Sequence, residues 1–195
     1  MRVISGRYRG RQLKGPAGLE MRPTGDRLKE SLFSILEPYI RDAVLLDAFS
    51  GTGSVGIEAL SRGARQVVFI EATAMGCRLI RKNLELCEVA GGARIIQEDV
   101  FGALRALGRK GFQADIVFFD PPYDFEPYKD LLDIVFSRSL LTASSRVIIE
   151  HRRTSVLPED GRGYRRVRLV RQGDQCLSFY DRKTESFEPP QSEGV

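Results

Sequence analysis

Apolar residues fall into two periodicities along this chain. From residue 43 onward, short and nearly continuous apolar runs occupy residues 43–49 (AVLLDAF), 66–72 (QVVFIEA), 94–99 (RIIQED), 114–120 (ADIVFFD) and 146–150 (RVIIE). Strands covered by helices on both faces lose the in–out alternation and read this way. Between them lie stretches of helical spacing at residues 55–62, 74–89, 101–109 and 127–136. In the last, Tyr128, Leu131, Leu132 and Val135 recur at i, i+3, i+4 and i+7, one face of a helix. Such β-α-β repetition with short connections predicts an α/β fold with a doubly wound, mostly parallel, Rossmann-like sheet. Residues 165–171 and 175–182 flank Gln172-Gly173-Asp174, a signal for a C-terminal antiparallel hairpin that brings the expected count to seven strands.

The first forty residues are patterned differently. Residues 2–16 alternate apolar and basic side chains around Gly6 and Gly10, which predicts an exposed two-stranded β-ribbon. Leu28, Leu32, Ile35 and Leu36 then mark a helix that Thr24 or Asp26 can cap and Pro38 should end. The expected organisation is an N-terminal ribbon and helix at 1–40, a main domain at 41–183, and a polar, Pro-containing tail at 184–195 that is expected to be disordered.

Composition narrows the function classes. With 195 residues, 42% hydrophobic and 29% charged, the chain is an ordinary globule able to build a core without staples. Three scattered cysteines make no disulfide framework, and their odd number suits reduced thiols in the cytoplasm. One histidine and no C-x-x-C give no expectation of a metal site. No apolar run approaches a membrane span, and residues 1–12 lack the apolar core of a signal peptide.

Charge is unevenly placed. The net charge is only +4, but residues 1–29 hold eight basic side chains, among them Arg7, Arg9, Arg11, Arg22 and Arg27, against two acidic ones. A second basic stretch runs from Arg152 to Arg171. A single charge run is usually a solvated face, whereas two Arg-dominated runs suit bidentate phosphate contact and a nucleic-acid partner.

The candidate chemistry lies at the carboxyl ends of the predicted strands. The first runs from Asp47 through Phe49 into Gly51-Thr52-Gly53-x-x-Gly56 and then a helix, a nucleotide-binding fingerprint in its proper context. Glu71 ends the second strand twenty residues after Gly51, where a carboxylate can take ribose hydroxyls. Asp99 ends the third, where an adenine amino group could be met; each aspartate could equally cap a helix. A rim of Asp47, Glu71 and Asp99 suits a cationic ligand such as a sulfonium better than a pyrophosphate. The fourth strand ends in Asp120-Pro121-Pro122-Tyr123. Two prolines hold this segment extended, so that a carboxylate, the Pro121 carbonyl and an aromatic ring can meet a planar base bearing an exocyclic amine.

The Gly loop, Glu71, Asp99 and DPPY, in that order, resemble class I S-adenosylmethionine-dependent amino-methyltransferases. More particularly, RVISGRYRGRQL, RPTGDRLKESLFSIL, LLDAFSGTGSVGIEALSRGA and FFDPPY resemble the RsmD family of bacterial 16S rRNA guanine-N2 methyltransferases, over residues 2 to about 182. The resemblance implies S-adenosyl-L-methionine as cofactor, with Asp47, Phe49, Gly51, Thr52 and Gly53 along its methionine moiety. It further implies Glu71 at the ribose, Asp99 and Val100 at the adenine, and Asp120, Pro121 and Tyr123 at the target guanine. Asp120 would also border the cofactor. Arg7, Arg9, Arg11, Arg22 and Arg27 would touch 16S rRNA within an assembling 30S subunit, the protein acting as a cytoplasmic monomer. An adenine-N6 methyltransferase would share DPPY, and a nicotinamide-dependent oxidoreductase would share the Gly fingerprint. A plain RNA-binding module would leave the acidic strand ends unexplained.

Overall fold

A computed structural model describes residues 1–15, 23–122, 124–137 and 139–183. The expected disorder of residues 184–195, Arg22 and Tyr123 lie outside the described residues, as does the Thr24 side chain. Helix α1 (Pro23–Ile40) precedes an alternating series: β1 (Val44–Ala48), α2 (Ser54–Ser61), β2 (Gln66–Glu71), α3 (Ala74–Leu86), β3 (Ala93–Gln97), α4 (Val100–Arg109), β4 (Ala114–Phe119), α5 (Tyr128–Ser137) and β5 (Leu141–Arg152). Three strands follow, β6 (Asp160–Gly161), β7 (Tyr164–Gln172) and β8 (Gln175–Arg182). All form one sheet in the order β3-β2-β1-β4-β5-β8-β7-β6.

The first five strands pair in parallel, and β8 joins β5 antiparallel. From β1 the chain winds outward to β3, then returns to β4 on the other side of β1. The switch point, where open α/β sheets bind ligands, therefore lies between the carboxyl ends of β1 and β4. Two apolar cores cover the sheet. One packs α4 and α5 on one face, and the other packs α1, α2, α3 and the N-terminal segment on the opposite face. All five residues of β1 are buried, which explains its unbroken apolar run.

The sheet has eight strands rather than the expected seven. The extra strand, β6, is two residues long and pairs with β7 only through Asp160↔Arg165 and Gly161↔Tyr164, too short to carry any periodicity. Strand β5 begins at Leu141 rather than 146 because Thr142–Ser145 is held by side-chain bonds instead of an apolar pattern. Ser145 Oγ donates to the Ala114 carbonyl at 2.6 Å across a register shift. Pro38 does not end α1, which continues to Ile40. A proline so close to a helix end removes a single interior hydrogen bond, and the last half-turn closes past it.

The N-terminal segment is a hairpin, but it is not a free one. Val3 N–H donates to Arg11 O and Leu13 N–H to Met1 O, both at 3.0 Å, with a bridge at Arg2↔Gln12. Val3 and Leu13 are buried in the core they share with α1. The buried Glu58 carboxylate of α2 accepts the N–H groups of Ile4 and Ser5 at 2.7 and 3.0 Å. At Gly6 (φ +81) an added Cβ would stand 1.9 Å from the Ser61 carbonyl oxygen, so only glycine allows the hairpin to dock this closely.

Candidate functional site

A cavity of about 530 Å³ opens at the switch point. Its lining includes Asp47, Phe49, Gly51, Thr52 and Asp120 of the sequence-expected residues. Gly53, Glu71, Asp99 and Val100 do not line it; they extend the same rim toward β3.

The Gly loop owes its shape to specific bonds. Gly51 (φ +53) and Gly53 (φ +76) take left-handed conformations that other residues rarely adopt. Phe49 adopts φ +61 despite its side chain, an uncommon state for an aromatic residue. Its ring lies edge-on to Phe119 and Phe125, whose contacts hold the loop residue in place. The left-handed Gly53 begins α2 without a side-chain cap, and Asp47 supplies the missing acceptor: its Oδ2 takes the Gly56 N–H at 2.9 Å. An added Cβ on Gly56 would lie 2.3 Å from the Phe69 ring, which explains the third glycine.

Glu71 ties the loop to the next strand. One carboxylate oxygen accepts the Gly51 N–H at 3.0 Å, and the other accepts the Thr73 N–H and hydroxyl at 2.8 and 2.7 Å. Asp99 caps α4, accepting the Gly102 N–H at 2.9 Å through Oδ1, so the capping alternative is realised. Pro121 is buried beneath the rim, and the Pro122 carbonyl accepts the Phe125 N–H at 3.0 Å, which turns the chain after the prolines.

Glu150 completes the rim, a residue to which the sequence patterns assign no role. It lines the cavity from β5, where Phe119 of β4 pairs with Ile149, so Asp120 and Glu150 are the next residues on neighbouring strands. The available signal was its position at the end of RVIIE, the same rule that selects Asp47 and Asp120. Electrostatics mark these three carboxyls. Burial pushes Asp47 well above the carboxylate range, against the opposing effect of its Gly56 bond. Burial of its carboxyl raises Asp120 to about 6, although the residue as a whole is exposed at the cavity mouth. Glu150 is pushed up further by burial and then by the neighbouring Asp120 charge. Three carboxyls held in unfavourable surroundings form a place where a cationic group would be welcome.

The opposite wall comes from the first forty residues. Met1, Asp26, Leu28, Lys29 and Leu32 all line the cavity. Lys29 is buried, donates to Arg2 O at 2.8 Å and Ser54 Oγ at 2.9 Å, and stands 3.5 Å from Glu58. Burial lowers its pKa despite the Glu58 charge beside it. Buried Asn83 of α3 joins the hairpin to the Gly loop, accepting from Lys14 N at 2.8 Å and donating to Lys14 O and Thr52 O at 3.0 and 2.9 Å. Sequence patterning could not reveal these links, since each joins residues remote along the chain.

The arginines are spread out. Arg7 stacks near Tyr8, Arg9 is exposed, and Arg11 pairs with Glu88 at 2.9 Å. Arg27 lies on a groove between α1 and β7 that also holds Arg168. Among the described residues no cluster of His, Cys, Asp and Glu could hold a metal ion, and no helix is long and apolar enough to cross a membrane.

A parallel sheet with this switch point, a Gly loop and an acidic rim, closed by an antiparallel hairpin, is the class I methyltransferase fold. The solved structure of the Escherichia coli protein yhhF superposes with a TM-score of 0.80 at 34% identity, covering 94% of this chain and 98% of that one. The protein SMU.776, solved in complex with SAH, shares the fold at a TM-score of 0.68 and 13% identity, covering 82% of this chain and 50% of that one. The family model described as conserved hypothetical protein 95 matches residues 1–181, and the chain belongs to that family, the RsmD family. Ribosomal RNA small subunit methyltransferase D of Escherichia coli K12 is 35% identical over 158 residues, 81% of this chain and 78% of that protein.

Proposed function

We propose that this protein transfers a methyl group from S-adenosylmethionine to the exocyclic N2 amine of a guanine in 16S rRNA of the small ribosomal subunit. The observation that carries the reading is the convergence of the Asp47–Thr52 loop and Asp120 on one cavity at the switch point. A nucleoside with a cationic sulfonium fits this cavity better than a pyrophosphate-bearing one. Three carboxyls there are raised by burial, and the Gly51 N–H that could meet a phosphate is already taken by Glu71. The relatives named small-subunit rRNA methyltransferases support RNA as the substrate.

S-adenosylmethionine supplies an electrophilic methyl group when bound. Asp47 and the loop from Phe49 to Gly53 would border its methionine part, Glu71 its ribose, and Asp99 with Val100 its adenine. The guanine amine is a poor nucleophile because its lone pair is delocalised into the ring. Asp120 would accept an amine hydrogen, orient the lone pair and stabilise the positive charge growing on nitrogen. The Pro121 carbonyl would take the second hydrogen, and Tyr123 would stack on the base. The base must leave its helix to reach this depth. Arg7, Arg9, Arg11, Arg22 and Arg27 would hold the surrounding rRNA by its phosphates.

The test is incubation with methyl-labelled cofactor and undermodified small subunits, followed by digestion to nucleosides. N2-methylguanosine supports the reading; N6-methyladenosine or an absence of label refutes it.

A further inference from the structure

We infer that the groove between α1 and β7 is a track for the sugar–phosphate backbone of the RNA strand that flanks the target base. This inference rests on the RNA-substrate reading above and extends it to a surface formed by the C-terminal hairpin. The groove measures about 570 Å³ and is walled by Arg27, Ser31 and Ile35 of α1 and by Arg168, Val170 and Gln172 of β7.

Its chemistry matches a nucleic-acid backbone. Arg27 and Arg168 come from segments 141 positions apart, are both exposed, and have no ion-pair partner among the described residues. Guanidinium groups left unpaired on opposing walls are suited to bidentate phosphate contact. Ser31, Ser34 and Gln172 add hydroxyl and amide groups of the kind that contact phosphate and ribose. Ser31 Oγ already donates to Gln172 Oε1 at 3.3 Å, which bridges the two walls. Glu30 is the single carboxylate of the lining, set against the two guanidinium groups.

Its position matches as well. Helix α1 divides the groove from the cavity: Leu28, Lys29 and Leu32 face the cavity, whereas Arg27, Ser31 and Ile35, spaced at i, i+4 and i+8, face the groove. The hairpin repeats the division, because Leu177 lines the cavity while its pairing partner Val170 lines the groove. A strand whose base enters the cavity thus has its neighbouring backbone at the mouth of the groove. Arg168 shares this face with Val170 and Gln172 by strand alternation, and the bulge between Arg166 and Arg168 sends Arg166 to the other face, where it pairs with Glu159.

The test uses Arg168→Gln and Arg168→Lys. Binding of the full chain to protein-free 16S rRNA and to undermodified small subunits is measured across a range of salt concentrations. Arg168→Gln should weaken both complexes severalfold and reduce the slope of log affinity against log salt by about 0.7, one single-strand phosphate contact. Arg168→Lys should keep the slope, and S-adenosylhomocysteine affinity should be unchanged in both variants. An unchanged slope overturns the track. A loss confined to intact subunits also overturns it, since the groove would then hold a ribosomal protein. If the wild-type protein transfers no methyl group while the slope still falls, the methylation reading fails and the track stands. If methyl transfer proceeds while the slope is unchanged, the methylation reading stands and the track fails.

Discussion

Replacing Glu150 with Gln should flatten the pH dependence of folding stability between pH 6 and 8. Glu150 and Asp120 project side by side from β5 and β4 into one cavity, and both carboxyls resist ionisation, Glu150 more strongly. In the unfolded chain Glu150 ionises near its ordinary value of 4.5, whereas in the fold it keeps its proton up to about 9. Folding therefore takes up a proton throughout that window. The corresponding stabilisation is fully present below pH 4.5 and is lost as pH rises toward about 9. One full proton is worth about 1.4 kcal/mol per pH unit, so the wild type should lose up to about 3 kcal/mol from this source between pH 6 and 8. Glutamine fills the same space, stays neutral and contributes no such slope. Urea unfolding of both proteins at pH 6, 7 and 8 reads the difference directly. The variant should match the wild type most nearly at pH 6 and exceed it increasingly toward pH 8. Parallel stability curves would refute the reasoning, because they would mean that Glu150 is already ionised in the fold across this range.

Three further outcomes follow from the same site. Gly56→Ala should destabilise the fold by about 1–3 kcal/mol in urea, because its Cβ would press into the Phe69 ring 2.3 Å away; a neutral result would show that this helix–strand contact yields easily. Glu71→Ala should weaken S-adenosylhomocysteine binding in calorimetry by about 1.5–3 kcal/mol, while NADH fails to bind either protein; preferential binding of NADH would overturn the cofactor assignment. Asp120→Ala should abolish single-turnover methyl transfer and Asp120→Asn retain a measurable fraction, since the amide oxygen still accepts an amine hydrogen. The wild-type rate should rise with pH through about 6 as Asp120 ionises, and equal losses in the two variants would defeat the positioning role.

Strands β1, β2 and β4 are legible because burial on both faces leaves unbroken apolar runs, whereas the edge strand β3 is half exposed and shows only Ile95-Ile96 between polar neighbours; the Gly loop is legible because its backbone demands glycine at fixed spacing. The features that stayed hidden have no local signature. Strand β6 is two residues long, and the first part of β5 is polar and held by Ser145 and Thr142. Glu150 is visible as a strand-end carboxylate, but only the pairing of Phe119 with Ile149 brings it beside Asp120. In the same way, Arg168 belongs to a basic run whose alternation the bulge in β7 breaks, so that Arg168 faces α1 while Arg166 faces the other side.

The N-terminal hairpin shows why local pattern and function can diverge. Its alternating basic residues predict an exposed ribbon, yet its backbone is bound at Ile4 and Ser5 by Glu58, at Arg2 by Lys29 and at Lys14 by Asn83. Each of these three buried residues also reaches toward the Gly loop or the helix it opens: Glu58 lies on α2, Lys29 bonds Ser54, and Asn83 bonds Thr52. Polar groups buried this deeply are costly unless every partner is present, so hairpin and loop must be ordered together. Met1 itself reaches the cavity wall, with Thr52 Oγ1 at 3.6 Å from its sulfur. The segment read as an RNA-contacting arm is thus also a wall of the proposed cofactor cavity.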